Sequence, residues 1–103
     1  MATGTINEKQ PEQYRIVTSI SADGKSGSWA MPTSNNYTLV VLGWAEMYLL
    51  YLYNNNNVGA VSSTKLTVNG QTSRDMTFTW TPSTRTVSWT STYALYITPI
   101  VLY

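Results

Sequence analysis

Residues 37–53 read YTLVVLGWAEMYLLYLY, the longest apolar run in the chain, and they hold one charge, Glu46. A helix that crosses a bilayer needs about 20 apolar residues, so this run is too short and too interrupted to span as one. A buried helix also fits an apolar run, and residue type arbitrates. Val40, Val41, Tyr48, Tyr51 and Tyr53 favour strands, and Gly43 marks a kink or turn. The run therefore reads as two strands broken near residues 42–45. Asn54, Asn55, Asn56 and Asn57 close the second strand, because asparagine favours turns and tolerates positive φ. In that strand Met47, Leu49, Tyr51 and Tyr53 share one face, and Glu46, Tyr48, Leu50 and Leu52 share the other. A strand with one wet face should be polar on that side. This one is not, so it is either covered on both faces or lies at a subunit interface.

Working outward, residues 76–81, MTFTWT, alternate cleanly, with Met76, Phe78 and Trp80 inward and threonines outward. Residues 86–90, TVSWT, repeat the pattern with Val87 and Trp89 inward. An even loop between them sets Trp80 opposite Val87 and Phe78 opposite Trp89, whereas an odd loop would oppose Trp80 with Ser88. Further strands are expected at 14–20, at 26–31 with Trp29, at 58–66, and in the apolar segment 93–103. Pro99 cannot donate to a ladder, so the last strand needs a free edge or a bulge there. Asp23-Gly24 reads as a hairpin turn and Asn69-Gly70 as a type I′ turn. A four-residue asparagine loop would pair Tyr53 with Val58 and Leu50 with Val61. Seven or eight short strands result, which predicts an all-β fold: an antiparallel, jelly-roll-like β-sandwich or a small barrel. Residues 14–103 form the one domain expected of this length, and residues 1–13 are a tail, or an arm that docks on a neighbour.

The chain has 103 residues, of which 43% are hydrophobic and only 11% charged, with net charge +1. Thr, Ser and Asn supply the polarity, which suits strands with hydroxylated outer faces. So small a charge gives no electrostatic case for nucleic acid or for an anionic membrane. There is no Cys and no His. Disulfides, thiolate sites, Ser-His and Cys-His catalysis and the commonest zinc ligand are thereby excluded. Residues 1–13 are polar and show no secretory h-region.

Chemistry is sparse. The carboxylates are Glu8, Glu12, Asp23, Glu46 and Asp75, and glycoside hydrolysis needs two at a fixed separation. Only Glu46 sits where burial could raise its pKa, and no second group is evident; otherwise it is a strand-end residue in solvent, or paired with Arg15, Lys65 or an arginine of another subunit. Neither an enzyme nor a cofactor is expected. The asparagine run offers neutral amides where calcium wants carboxylates, so it reads as a hairpin loop. Trp80 and Trp89 alternate with threonines and belong to the core. Trp29 and Trp44 fall near expected loops. With Asn55, Asn56 and Arg85 they would form a platform for the apolar face of a sugar, although core or interface packing competes for Trp44. Tyr48, Leu50, Leu52, Ile100 and Leu102 are the candidate oligomer interface, because residues 46–53 and 94–103 are apolar on both faces.

The final strand ALYITPIVLY, residues 94–103, resembles the last strand of small tail-fibre and receptor-binding domains of tailed bacteriophages. The Thr/Ser/Asn-rich, Cys-free composition and the Trp-bearing threonine strands are similar too. The resemblance covers most of residues 14–103 in style, without a diagnostic motif. It implies a structural or adhesive virion protein, working as a homotrimer and contacting other virion proteins or a host surface saccharide. The near absence of a shaft departs from the fibre pattern and raises a head fibre or capsid decoration protein as the form. A carbohydrate-binding module of an extracellular cellular protein is the alternative.

Overall fold

The computed structural model describes residues 14–16, 25–43, 45–71, 75–92 and 97–102, with backbone alone for 14–16. Among the described residues eight strands follow in order: β1 Tyr14–Ile16, β2 Ser26–Ala30, β3 Tyr37–Leu42, β4 Glu46–Asn55, β5 Val58–Thr67, β6 Met76–Thr81, β7 Thr86–Ser91 and β8 Thr98–Leu102. They form two antiparallel sheets, one of five strands ordered β1-β8-β3-β4-β5 and one of three ordered β2-β7-β6. The fold is an open antiparallel sandwich and not a closed barrel. First strand pairs with last and second with second-last, the nested wrapping of a jelly roll. It departs from full nesting where β3 pairs with β4 and β6 with β7.

The break at Gly43 falls where the sequence places it, between β3 and β4. The Glu46 side chain lies over Gly43, where a Cβ would crowd its carboxylate. The β6–β7 register also matches expectation, with Trp80 opposite Val87 and Phe78 opposite Trp89. The link is a single 3₁₀ turn, Pro82–Thr84, ended by Arg85 in the left-handed region at φ 56°.

Three local expectations are corrected. The asparagine loop has two residues rather than four: Asn56 and Asn57 take φ 54° and 67°, and Asn55 pairs with Val58. Tyr53 therefore opposes Ala60, and Leu52, not Leu50, opposes Val61. The shift is by two residues, so each side chain keeps its face. At Asn69-Gly70 only Gly70 has positive φ, and Gln71 N–H bonds Val68 C=O at 3.1 Å, which makes a type II turn instead of type I′. Third, β1 and β2 lie in different sheets, so no β1–β2 hairpin forms; the Asp23-Gly24 pair itself lies outside the described residues. Pro99 sits in β8 opposite Val41 of β3, one residue beyond the described pairing with β1, which runs from Leu102 to Ile100; what lies on its other side falls outside the described residues.

The core lies between the sheets. Leu39, Val41, Tyr48, Leu50, Leu52 and Val101 face Trp29, Met76, Phe78, Trp80, Val87 and Trp89. Phe78 is the central ring, edge-on to Trp29 at 6.4 Å in its own sheet and to Tyr48 at 5.3 Å in the other. Tyr48 also accepts the Met76 backbone N–H at 2.9 Å, which joins the sheets by a buried hydrogen bond. Burial pushes the Tyr48 hydroxyl above its ordinary pKa, so it stays protonated there. Trp89 lies over Gly27, its cross-strand neighbour, whose missing Cβ would meet the indole at 2.9 Å. At Gly59 the second sheet crosses β5 so closely that a Cβ would run into the Trp80 carbonyl oxygen. That glycine fixes where the sandwich closes on its β5–β6 side.

Candidate functional site

Two surfaces carry what chemistry the described residues offer. The first is one end of the sandwich, where three connections meet. Residues 32–36 link β2 to β3, Asn56-Asn57 link β4 to β5, and residues 82–85 link β6 to β7. Asparagine amides tie them together. Asn54 donates its side-chain amide to Ser34 C=O at 2.6 Å, and its backbone N–H to Asn36 Oδ1 at 2.8 Å. The other face of the Asn54 amide accepts from Asn57 N–H at 2.8 Å, which holds the turn. Arg85 donates to Pro32 C=O at 3.1 Å, and its own carbonyl accepts from Met31 N–H.

This end brings together three expected residues, Asn55, Asn56 and Arg85, all exposed. Trp29 does not join them. It is 5% exposed, its indole N–H points to Met31 Sδ at 3.3 Å, and it belongs to the core. The correction has a simple cause: Trp29 is near a loop in sequence, but its strand pairs with β7 and its face is inward. Trp44 lies outside the described residues.

An aromatic platform exists elsewhere. Tyr51 and Tyr53, two apart on β4, stack with centroids 6.3 Å apart and planes at 27°, and both are over 40% exposed. Asn36 Nδ2 bonds the Tyr51 hydroxyl at 3.1 Å and so fixes that ring. Thr33 Oγ1 and the Tyr37 hydroxyl share a further bond at 2.7 Å. Flat rings held beside amides suit the apolar face of a saccharide, with the amides bonding its hydroxyls. The signal was in the sequence, because Tyr51 and Tyr53 fall on one face of the second strand of the apolar run.

The second surface is the outer face of the five-stranded sheet. Register sets Met47 beside Leu42 and Leu66, and Val40 beside Leu49 and Ile100. Tyr51 and Leu102 flank Thr38 in the next row. Leu42, Leu49, Tyr51, Tyr53, Leu66 and Leu102 are each 40–47% exposed. Of the expected interface residues, Leu102 and the half-buried Ile100 lie on this face. Tyr48, Leu50 and Leu52 do not: at 4%, 1% and 0% exposure they fill the chain's own core. Both faces of β4 are apolar, so pattern alone could not choose the inward one; the second sheet covers the even-numbered side.

At the opposite end from the loops, Glu46 is buried, and its Oε2 accepts the Ala45 N–H at 3.2 Å. A cavity of about 230 Å³ opens there, lined by Ala45, Glu46, Met47, Leu66, Thr67 and Val68. It is smaller than the ~300–1,000 Å³ usual for small-molecule sites. Lys65 pairs with Asp75 at 2.6 Å, whose carboxylate raises the lysine pKa. Among the described residues no group of three potential metal ligands forms.

No family model, curated protein or solved structure matches the chain.

Proposed function

We propose that the chain is a structural or adhesive subunit of a bacteriophage virion, acting without catalysis and as a homo-oligomer. The outer face of the five-stranded sheet carries this reading. Monomers rarely expose contiguous apolar patches beyond a few hundred Å². This face carries apolar side chains on four strands, interrupted by Thr38, Ser62, Thr64 and Thr98, in a chain with only 11% charged residues to keep it soluble. A neighbouring protomer on that face removes the patch from water. The virion setting comes from the sequence resemblance, as does the number three for the protomers.

A second reading has its own observation, the stacked Tyr51–Tyr53 pair with Asn36 beside it. It makes the domain a saccharide-binding module of a secreted protein. Antibody raised against the chain separates the two. Label on purified phage particles that carry the gene is the result expected. Label confined to secreted cellular protein, with saccharide quenching tyrosine fluorescence and the quenching lost in Tyr51→Ala, would overturn the virion reading in favour of the second.

A further inference from the structure

We propose that Asn69 is a site of spontaneous deamidation, and that its conversion to aspartate and isoaspartate removes the net positive charge of the folded chain.

The reaction needs an asparagine whose side-chain carbonyl carbon is within reach of the next residue's backbone nitrogen. A side chain on that next residue shields its nitrogen, and glycine has none. Gly70 is the one glycine in the chain that follows an asparagine. The fold leaves this pair accessible. Asn69 and Gly70 are both exposed, in the turn that leaves the end of β5. A Cβ built on Gly70 would meet no atom within 4 Å, so the space beside it is open. The bond that closes the turn is donated by Gln71 N–H to Val68 C=O at 3.1 Å, and so spans the pair without drawing on the Gly70 nitrogen. Gly70, at φ 78°, rotates at little cost because it carries no side chain. Other asparagines are placed differently. The Asn36 and Asn54 amides are held by hydrogen bonds to Tyr51, Ser34 and neighbouring backbone. Asn57 is followed by the β-branched Val58.

The Gly70 nitrogen gives its proton to solvent and attacks Cγ of Asn69. The N–Cγ bond forms, the Cγ–Nδ2 bond breaks, and Nδ2 takes up a proton and leaves as ammonia. Water then opens the resulting succinimide. Attack at Cγ restores the main chain and gives aspartate. Attack at the main-chain carbonyl gives isoaspartate, with the chain running through Cγ and one methylene longer. Either product carries a new carboxylate, which takes the formal net charge from +1 to zero. A chain without net charge associates and precipitates more readily, and this one also exposes an apolar face. In the isoaspartyl form the added methylene lies between Val68 and Gln71, so the turn's closing bond loses its span.

Purified chain is held in mildly alkaline buffer at body temperature and digested for mass spectrometry at intervals, beside a sample kept unfolded in urea. In the folded chain the Asn69 peptide should gain the mass of an amide-to-acid change at least about tenfold faster than any other asparagine peptide, because it alone has a glycine nitrogen as nucleophile. Isoaspartyl methyltransferase should label the same peptide, and ion exchange should show a new, more acidic peak. Gly70→Ala should slow the gain, but alanine at positive φ strains the turn. Asn69→Gln is therefore the second variant: its six-membered ring closes far more slowly, and that chain should keep a single peak. Conversion of another asparagine first overturns the proposal. So does an Asn69 peptide that stays unchanged in the folded chain by the time the unfolded sample has converted, or an acidic peak that grows in Asn69→Gln at the parent rate.

Discussion

Trp89→Ala should leave little folded protein. Trp89 is 2% exposed, stands directly across from Phe78, and lies over Gly27 in the middle of the three-stranded sheet. Truncating a buried tryptophan costs ~3–5 kcal/mol, a large share of the ~5–15 kcal/mol that holds a small domain together. The indole N–H has no acceptor among the described residues, so part of what the ring contributes is offset by a buried, unbonded donor. Trp89→Phe, which removes that donor and keeps most of the ring, should therefore cost distinctly less. Thermal melts of both variants check this. An unchanged melting temperature in the alanine variant would place Trp89 at the surface.

Gly59→Ala is the second large effect, and its cause is contact, not backbone conformation. The added methyl would run into the Trp80 carbonyl oxygen and meet Pro82 Cδ at 2.7 Å. A flexible side chain could move aside, but here the nearest atoms are the backbone of β6 and a ring. Overpacking usually costs ~1–3 kcal/mol, and a clash with fixed backbone belongs at the top of that range or above it. The variant should lose β5–β6 closure first, seen as faster amide exchange in β6 together with a lower denaturation midpoint. A variant as stable as the parent would mean that the sheets do not cross at this residue.

The sequence was most legible where one face was polar. β6 and β7 carry threonines outside and aromatics inside, so their strands, inward faces and register all follow from pattern and loop parity. The β3–β4 break at Gly43 was legible because glycine interrupts an otherwise apolar run. Pairings between distant segments were not. Nothing local tells β1 to seek β8, or β2 to seek β7, since those contacts arise from the wrapping of the whole chain. The asparagine turn was ambiguous because four identical residues offer several centres, and only the pair of positive φ angles selects Asn56-Asn57. The candidate site suffered from the same limits. Tyr48, Leu50 and Leu52 lie inside because the second sheet covers that side of β4, while Leu49, Tyr51 and Tyr53 take the exposed role. Arg85, Asn55 and Asn56 share one end of the sandwich only because three loops converge there.

The central claim is that the apolar outer face is covered by copies of the chain itself. Multi-angle light scattering at micromolar concentration, run on the parent chain and on Leu49→Lys, tests it most directly. Leu49 is 40% exposed at the centre of that face, so a lysine there should leave the fold intact and place a charge in the contact. The parent should scatter as a defined multiple of 11.5 kDa. Leu49→Lys should shift to smaller species with an unchanged circular dichroism spectrum. A parent chain that stays soluble and monomeric at every concentration tested would contradict the claim, and the virion reading built on it.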